Sequence, residues 1–344
     1  MGNHLPIIEM GYLRLFLALA VFYTHVDVPI QALKFTGGST AVEAFFVVSG
    51  YFIAQVLEKK KYPSTRKFYL SRLLRIFPTF LIASAVALSH ILVVTKFGES
   101  KGQNFSPVSS LPNLLIIFQD LCYFLDSGLH VIPGLQQTLV LGVAWTLSLE
   151  LYFYLVSPLL LKTKTKYLVF ACFTLLISKL LFFTTVGLNP FFVNRFFVFE
   201  FGFYLLGYIS YRIQVSLGIS RIAAFCVFLI PIVFPLWKHG NQFVAHAWES
   251  MLYPILVALS LPYLLKIDMN SKLSLLMGRI SFPIYLFHVP IAAWYVSLVS
   301  FSGYSVPPKI TGVIILATTV GVSLISLHFV EDRINKFRSK LVLK

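Results

Sequence analysis

Apolar runs of about twenty residues recur along almost the whole of this chain, and short basic segments separate them. A helix needs roughly 20 apolar residues to cross the hydrocarbon core of a bilayer. Ten such runs fall at 9–28, 39–57, 76–96, 138–161, 167–187, 191–210, 221–237, 247–265, 280–300 and 309–329. The expected fold is all-α: a polytopic membrane protein of about ten transmembrane helices, one transmembrane domain over residues 1–344. Only 12% of the residues are charged, against about 25% in a soluble domain. Segment 111–125 is apolar but short and carries Asp120. It reads as re-entrant or interfacial, with an eleventh span as the alternative. There is no internal repeat and no low-complexity tract.

The formal net charge of +15 does not point to nucleic acid, because the cations cluster in the short loops. Lys59, Lys60, Lys61, Arg66, Lys67, Arg72 and Arg75 share one loop, and Lys162, Lys164 and Lys166 another. Arg212 and Arg221, then Lys266, Lys272 and Arg279, and finally Arg333, Lys336, Arg338, Lys340 and Lys344 mark three more segments. With ten spans all five lie on one side, and Lys34, Lys96, Lys101, Lys238 and Lys309 are left for the other. Positive-inside bias then makes both termini cytoplasmic and brings membrane lipids into contact with the basic loops. Cys122, Cys172 and Cys226 offer neither a disulfide framework nor metal-ligand spacing. The first run lacks a small-x-small cleavage site, so it reads as a retained anchor.

Ionisable residues at bilayer depth are costly and are usually kept for a site. Arg14 and His25 lie within one run, LRLFLALAVFYTHV. Eleven residues advance about three helical turns, so the two share a face about 16 Å apart. A neutral imidazole at His25 suits a general base; the bland alternative is a packed histidine near an interface. Arg14 needs an anionic or carbonyl partner, either a ligand or a carboxylate such as Glu150. Arg72 and Arg75 form an R-x-x-R pair ahead of Ile76, Phe77 and Pro78. That spacing places them on one helix face, fit for phosphate oxygens or simply for lipid headgroups. Glu43 lies among close-packing residues in GGSTAVEAFFVVSGYFI, and Glu150 sits deeper in AWTLSLELYFY. Glu150 requires a cation or hydroxyl partner, and Trp145 and Tyr154 either donate to it or line a cavity. His90, Lys179, Arg195, Glu200, Glu249, His288 and His328 each read, taken alone, as an interhelical bond. No G-x-S-x-G elbow, Walker loop, H-E-x-x-H or CxxC is present, so triad hydrolysis, nucleotide hydrolysis and zinc chemistry have no support.

In order along the chain, these segments resemble the acyltransferase-3 family of integral membrane acyltransferases. GYLRLFLALAVFYTHV is similar to that family's opening helix, with its Arg and His. GGSTAVEAFFVVSGYFIA is similar to the Gly–acidic–Phe-Phe–Ser-Gly segment, with Glu43 where Asp is commoner. SRLLRIFPTF is similar to the R-x-x-R-(I/F)-x-P start of the third span. AWTLSLELYFYLVSPLL is similar to W-S-L-x-x-E-x-x-F-Y-x-x-x-P, with Thr146 in place of Ser. ISFPIYLFHVPI is similar to the late Y-x-x-Y-L-x-H-x-P segment, from which Phe282 and Pro283 depart. Together they span residues 11 to 290.

The resemblance implies transfer of an acyl group, usually acetyl from acetyl-CoA, to a sugar hydroxyl. The acceptor would be a surface polysaccharide such as O-antigen, a lipid-linked glycan or a related metabolite. It implies that His25 is catalytic and that Arg14, Arg72 and Arg75 are needed for activity. It also extends a substrate-binding role to His288. The chain would be the stand-alone form, in a bacterial inner membrane, with acetyl-CoA as substrate and no bound cofactor. Acyl-CoA phosphates would rest on Arg72 and Arg75, with the pantetheine arm passing Arg14. Glu43 or Glu150 would orient the His25 imidazole. A multi-helix transporter or flippase and a non-catalytic scaffold are the rival classes. No oligomeric state follows from the sequence.

Overall fold

The computed structural model describes residues 10–26, 36–97, 116–123, 125–126, 139–185, 193–216, 247–267 and 271–342. Among these residues there is no strand. The helices are α1 (Gly11–His25), α2 (Gly38–Glu58), α3 (Thr65–Phe97), α4 (Gln119–Tyr123), α5 (Trp145–Leu160) and α6 (Thr165–Thr185). They continue with α7 (Phe197–Ser216), α8 (Ala247–Ile267), α9 (Lys272–Ser302), α10 (Pro308–Ser326) and α11 (Asp332–Val342). A π-helical turn, Leu327–Glu331, joins the last two.

Six of these helical stretches are long and apolar enough to cross a membrane: Gly38–Glu58, Thr65–Lys96, Gly142–Leu160, Thr165–Phe182, Lys272–Ser302 and Pro308–Val342. Nine of the ten expected spans coincide with a helix, and the tenth, 221–237, lies outside the described residues. The helix at the first expected span has only 15 residues, about 22 Å of rise, and is not among the six. The third span was expected to start at Ile76. Its helix begins at Thr65, because the basic stretch before Ile76 is made of good helix formers that a search for apolar residues passes over. Similarly α9 starts eight residues before its apolar run, where Ser271 Oγ caps it by accepting from Ser274 N–H at 3.0 Å. Of segment 111–125, the described part holds a five-residue helix in which Asp120 is buried. Tyr152 Oη donates to its carboxylate at 3.1 Å.

Close backbone approach sets the packing. At Gly50 an added Cβ would lie 2.0 Å from the Tyr204 carbonyl oxygen, and at Gly207 it would lie 1.9 Å from that of Val47. Only glycine lets α2 and α7 meet so tightly, the usual route to strong helix association in lipid. Phe46 and Phe153 stack on the two sides of Tyr204, with centroids 4.7 and 4.2 Å away. Side chains such as Phe170, Leu159 and Val313, each about two-thirds exposed or more, face outward, as a lipid-facing surface requires.

Contacts fix the helix directions. Helices α1 and α9 run parallel: Gly11 N–H donates to Ser274 Oγ at 3.1 Å at one end, and His25 meets His288 at the other. Helix α3 runs the same way, since Trp294 Nε1 donates to the Val86 carbonyl and His90 meets Ser297 Oγ. The chain then returns through α10 and α11, which bring Glu331 to Thr79 and Asp332 to Arg279. Arg212 joins Glu58 and the Thr163 carbonyl at this same end. The basic segments at 59–75, 162–166, 272–279 and 333–340 gather there with Arg212, so the five-segment charge pattern is one end of the bundle; Arg221 lies outside the described residues.

Candidate active site

At the C-terminal end of α1 the His25 side chain is exposed. Behind it, on α9, His288 is fully buried. The two rings lie with centroids 5.1 Å apart and planes at 58°. His25 Nδ1 is 3.0 Å from the Val21 carbonyl oxygen and 3.4 Å from His288 Nε2. His288 Nδ1 is 2.7 Å from the Tyr285 carbonyl oxygen. The rings meet because α1 and α9 are parallel and keep register over their whole shared length. Gly11 starts that register: a Cβ there would strike the Ser274 carbonyl oxygen at 1.6 Å.

The wall beside this pair comes from α4, the start of α5 and the turn before α7. Tyr285 Oη lies 2.8 Å from Thr146 Oγ1 and 3.1 Å from the Val143 carbonyl, which ties the start of α5 to α9. The Arg195 guanidinium stacks on Tyr123 at 4.0 Å and on Trp145 at 5.1 Å, within electrostatic reach of His25. An accessible imidazole, a fixed cation and an aromatic wall can accept a proton and steady a developing negative charge.

Neither carboxylate expected to orient His25 is its partner among the described residues. Glu43 is buried and pairs with Lys179 Nζ at 2.6 Å; Glu200 meets the same ammonium at 2.5 Å. Glu150 accepts from Ser49 Oγ at 3.3 Å and from Tyr154 Oη. It sits one turn below Thr146, and its hydroxyl partners meet the need the sequence anticipated. Tyr154 is thus committed to Glu150, and Trp145 forms a platform for Arg195.

The arginine pair also divides. Arg72 is nearly buried, donates from Nη2 to Tyr62 Oη at 2.9 Å, and lies 5.7 to 5.8 Å from the ring centres of Tyr62, Phe68 and Tyr154. Arg75 instead lines a cleft with Thr79, Arg279, Glu331, Asn335 and Arg338. Three residues along a helix leave two side chains about 60° apart, enough here for Arg72 to sit among the rings and Arg75 to line the cleft, while both act electrostatically on Tyr154. Arg14, Arg75 and Arg279 all act electrostatically on Glu331, which brings Arg14 within reach of this end. Arg279 also pairs with Asp332. Arg14, Arg75 and Arg279 thus act on Glu331, and Arg338 lines the same cleft. Glu331, Asp332 and Arg338 carried no sequence signal beyond a charged tail, because their role depends on α10, the π turn and α11 returning along α3 and α9.

The profile of the acyltransferase domain family matches residues 7–328. The chain is 25% identical to the O-acetyltransferase OatA of Staphylococcus aureus over 360 aligned positions, covering 94% of this chain and 56% of OatA. It thus spans little more than half the length of that relative. It is 26% identical to the putative acetyltransferase ORF330 of Acidianus two-tailed virus over 296 positions, covering 82% of each. No solved structure matches. The match over nearly the whole length, on a chain whose described residues hold no strand and include six helical stretches long enough for a bilayer, establishes that this is a membrane protein of the acyltransferase-3 family.

Proposed function

We propose that the protein transfers an acetyl group from acetyl-CoA to a sugar hydroxyl of a surface polysaccharide or lipid-linked glycan, with His25 as general base. The observation that carries this reading is the arrangement of α1 and α9. They run side by side, α9 lining an arginine-rich cleft at one end through Arg279 and Phe282 and meeting the accessible imidazole of α1 at the other. From Arg14 to His25, on one face of α1, the helix rises about 16 Å, comparable with the reach of a pantetheine arm. The guanidiniums of Arg75, Arg279 and Arg338 offer planar forks to phosphate oxygens. By the positive-inside rule this end is cytoplasmic, where acyl-CoA is found, and both termini lie on that side. The acceptor then approaches His25 from the opposite face of a bacterial plasma membrane. Residues 1–344 act as one domain.

In the reaction, a His25 ring nitrogen removes the hydroxyl proton as the oxygen attacks the thioester carbonyl. The tetrahedral oxyanion faces Arg195, whose charge is held in place by Tyr123 and Trp145. Collapse breaks the carbon–sulfur bond, and the imidazolium returns its proton to the departing thiolate. The products are the sugar ester and CoA thiol, and the imidazole is regenerated.

The test is purified protein in lipid vesicles with acetyl-labelled acetyl-CoA and a glycan extract. Label in the glycan is expected. Acceptor movement across the vesicle without label transfer would make the protein a carrier and overturn the proposal.

A further inference from the structure

The hydrogen-bond pattern at the histidine pair decides which ring nitrogen of His25 is free, and His288 is part of that decision. His288 Nδ1 lies 2.7 Å from the Tyr285 carbonyl oxygen. A carbonyl only accepts, so His288 Nδ1 carries the hydrogen and, in the neutral ring, Nε2 carries a lone pair. That lone pair points at His25 Nδ1, 3.4 Å away. On the same atom converges a second acceptor, the Val21 carbonyl oxygen, at 3.0 Å. A bare Nδ1 on His25 would face two lone pairs; a protonated Nδ1 satisfies both. His25 Nε2 is then the unprotonated nitrogen, on the side of the ring away from His288.

We infer that His288 is a positioning residue for the proposed acyl transfer: its Nε2 holds His25 in the Nδ1–H tautomer, leaves His25 Nε2 free to take the acceptor's proton, and accepts a hydrogen bond from the imidazolium once formed. This rests on His25 being the base. It assigns to a neutral, buried imidazole the orienting task that a carboxylate performs in a triad. The choice of a neutral group follows from its surroundings. His288 is fully buried among Phe22, Tyr285 and the backbone of α9, where an isolated carboxylate would be costly. The Val21 carbonyl alone would favour the same tautomer, but it lies one turn back on α1 and can bond the ring in any pose that α1 permits. His288 sits on another helix and fixes the ring relative to α9.

The test compares His25→Ala, His288→Phe and His288→Gln in the full-length protein with acetyl-CoA and a glycan extract. Phenylalanine keeps the ring volume and removes the acceptor; glutamine places an amide oxygen near the former Nε2. His288→Phe is expected to lower kcat about 10- to 100-fold, less than the roughly 10⁴-fold loss when a triad's orienting group is replaced, because the Val21 carbonyl remains. KM for both substrates should change little, and His288→Gln should recover most of the rate. Nitrogen-15 spectra of histidine-labelled protein should show an unprotonated Nε2 on His25 in the wild type and His288→Gln, and a smaller share of that tautomer in His288→Phe, where only the Val21 carbonyl favours it. If His25→Ala is inactive while His288→Phe keeps wild-type kcat and an unchanged His25 spectrum, the positioning role is wrong and the base stands. If His25→Ala itself keeps turnover, the underlying reading of His25 fails.

Discussion

Lys179 Nζ lies 2.6 Å from Glu43 Oε1, and both side chains are sealed inside the bundle. With Glu200 on the same ammonium at 2.5 Å, three ionisable groups join α2, α6 and α7 well away from water. Charges so placed depend wholly on one another. Lys179→Met should therefore leave two carboxylates without their cation and cost about 3–5 kcal/mol. A thermal-unfolding series in detergent checks this. The triple variant Lys179→Met, Glu43→Gln, Glu200→Gln should recover part of the loss, since no uncompensated charge remains.

The two arginines of the R-x-x-R pair should separate in kinetics. Arg75→Ala opens the cleft beside Arg279 and Arg338, and is expected to raise KM for acetyl-CoA about tenfold, an amount typical of a charge-assisted hydrogen bond of about 1.5 kcal/mol. Arg72→Ala empties the ring of Tyr62, Phe68 and Tyr154, and is expected to lower thermal stability while leaving KM for acetyl-CoA near its original value. Equal rises in KM for both variants would return them to a single clamp.

Glycine at the α2–α7 crossing should be irreplaceable. Gly207→Ala forces a methyl group into the Val47 carbonyl, and overpacking of this kind costs about 1–3 kcal/mol or more. Gly321→Ala on α10 is the matched control, because nothing lies within 4 Å of its added Cβ. It should be neutral or slightly stabilising, given alanine's higher helix propensity. Melting temperatures of the two variants, measured side by side, decide the matter.

Tyr62, in the loop between α2 and α3, should ionise below the ordinary tyrosine range. Burial pushes its phenol up, but the Arg72 guanidinium beside it, the Ser71 hydroxyl and Lys61 outweigh burial and bring it below 10. A group whose pKa is depressed by folding adds stability above its unfolded value, and that addition is lost as pH falls through the folded value. Tyr62 therefore contributes nothing at neutral pH and begins to stabilise the fold on the alkaline side. Ultraviolet titration of wild type minus Tyr62→Phe should show the early phenolate, and Arg72→Met should move it upward.

Much of the helical framework was legible because lipid imposes a length on apolar runs, and the gathering of 59–75, 162–166, Arg212 and 333–340 at one end was legible from charge alone. The start of α3 was not, since basic helix formers at 65–75 continue a helix that hydropathy cuts at Ile76. That Arg14 and His25 share one face of α1 about three turns apart follows from helical rise. The partners of individual polar groups were a different matter. Glu43 and Lys179 are far apart in sequence, and nothing local says that α6 will deliver an ammonium to α2. His288 stood out only as one buried polar residue among several. Its meeting with His25 requires the parallel register of α1 and α9, which Gly11 and Ser274 set at the far end. Glu331 looked like part of a charged tail until the return of the chain through α10 and the π turn brought it beside Thr79 and within the field of Arg14, Arg75 and Arg279.

The most direct measurement is acetyl transfer by purified wild type and His25→Ala, reconstituted in the same vesicles with labelled acetyl-CoA and glycan acceptor. General-base catalysis contributes about 10²- to 10⁴-fold, so the variant should lose at least about a hundredfold in turnover while keeping its melting temperature and its affinity for acetyl-CoA. Turnover by His25→Ala close to that of the wild type would contradict the account.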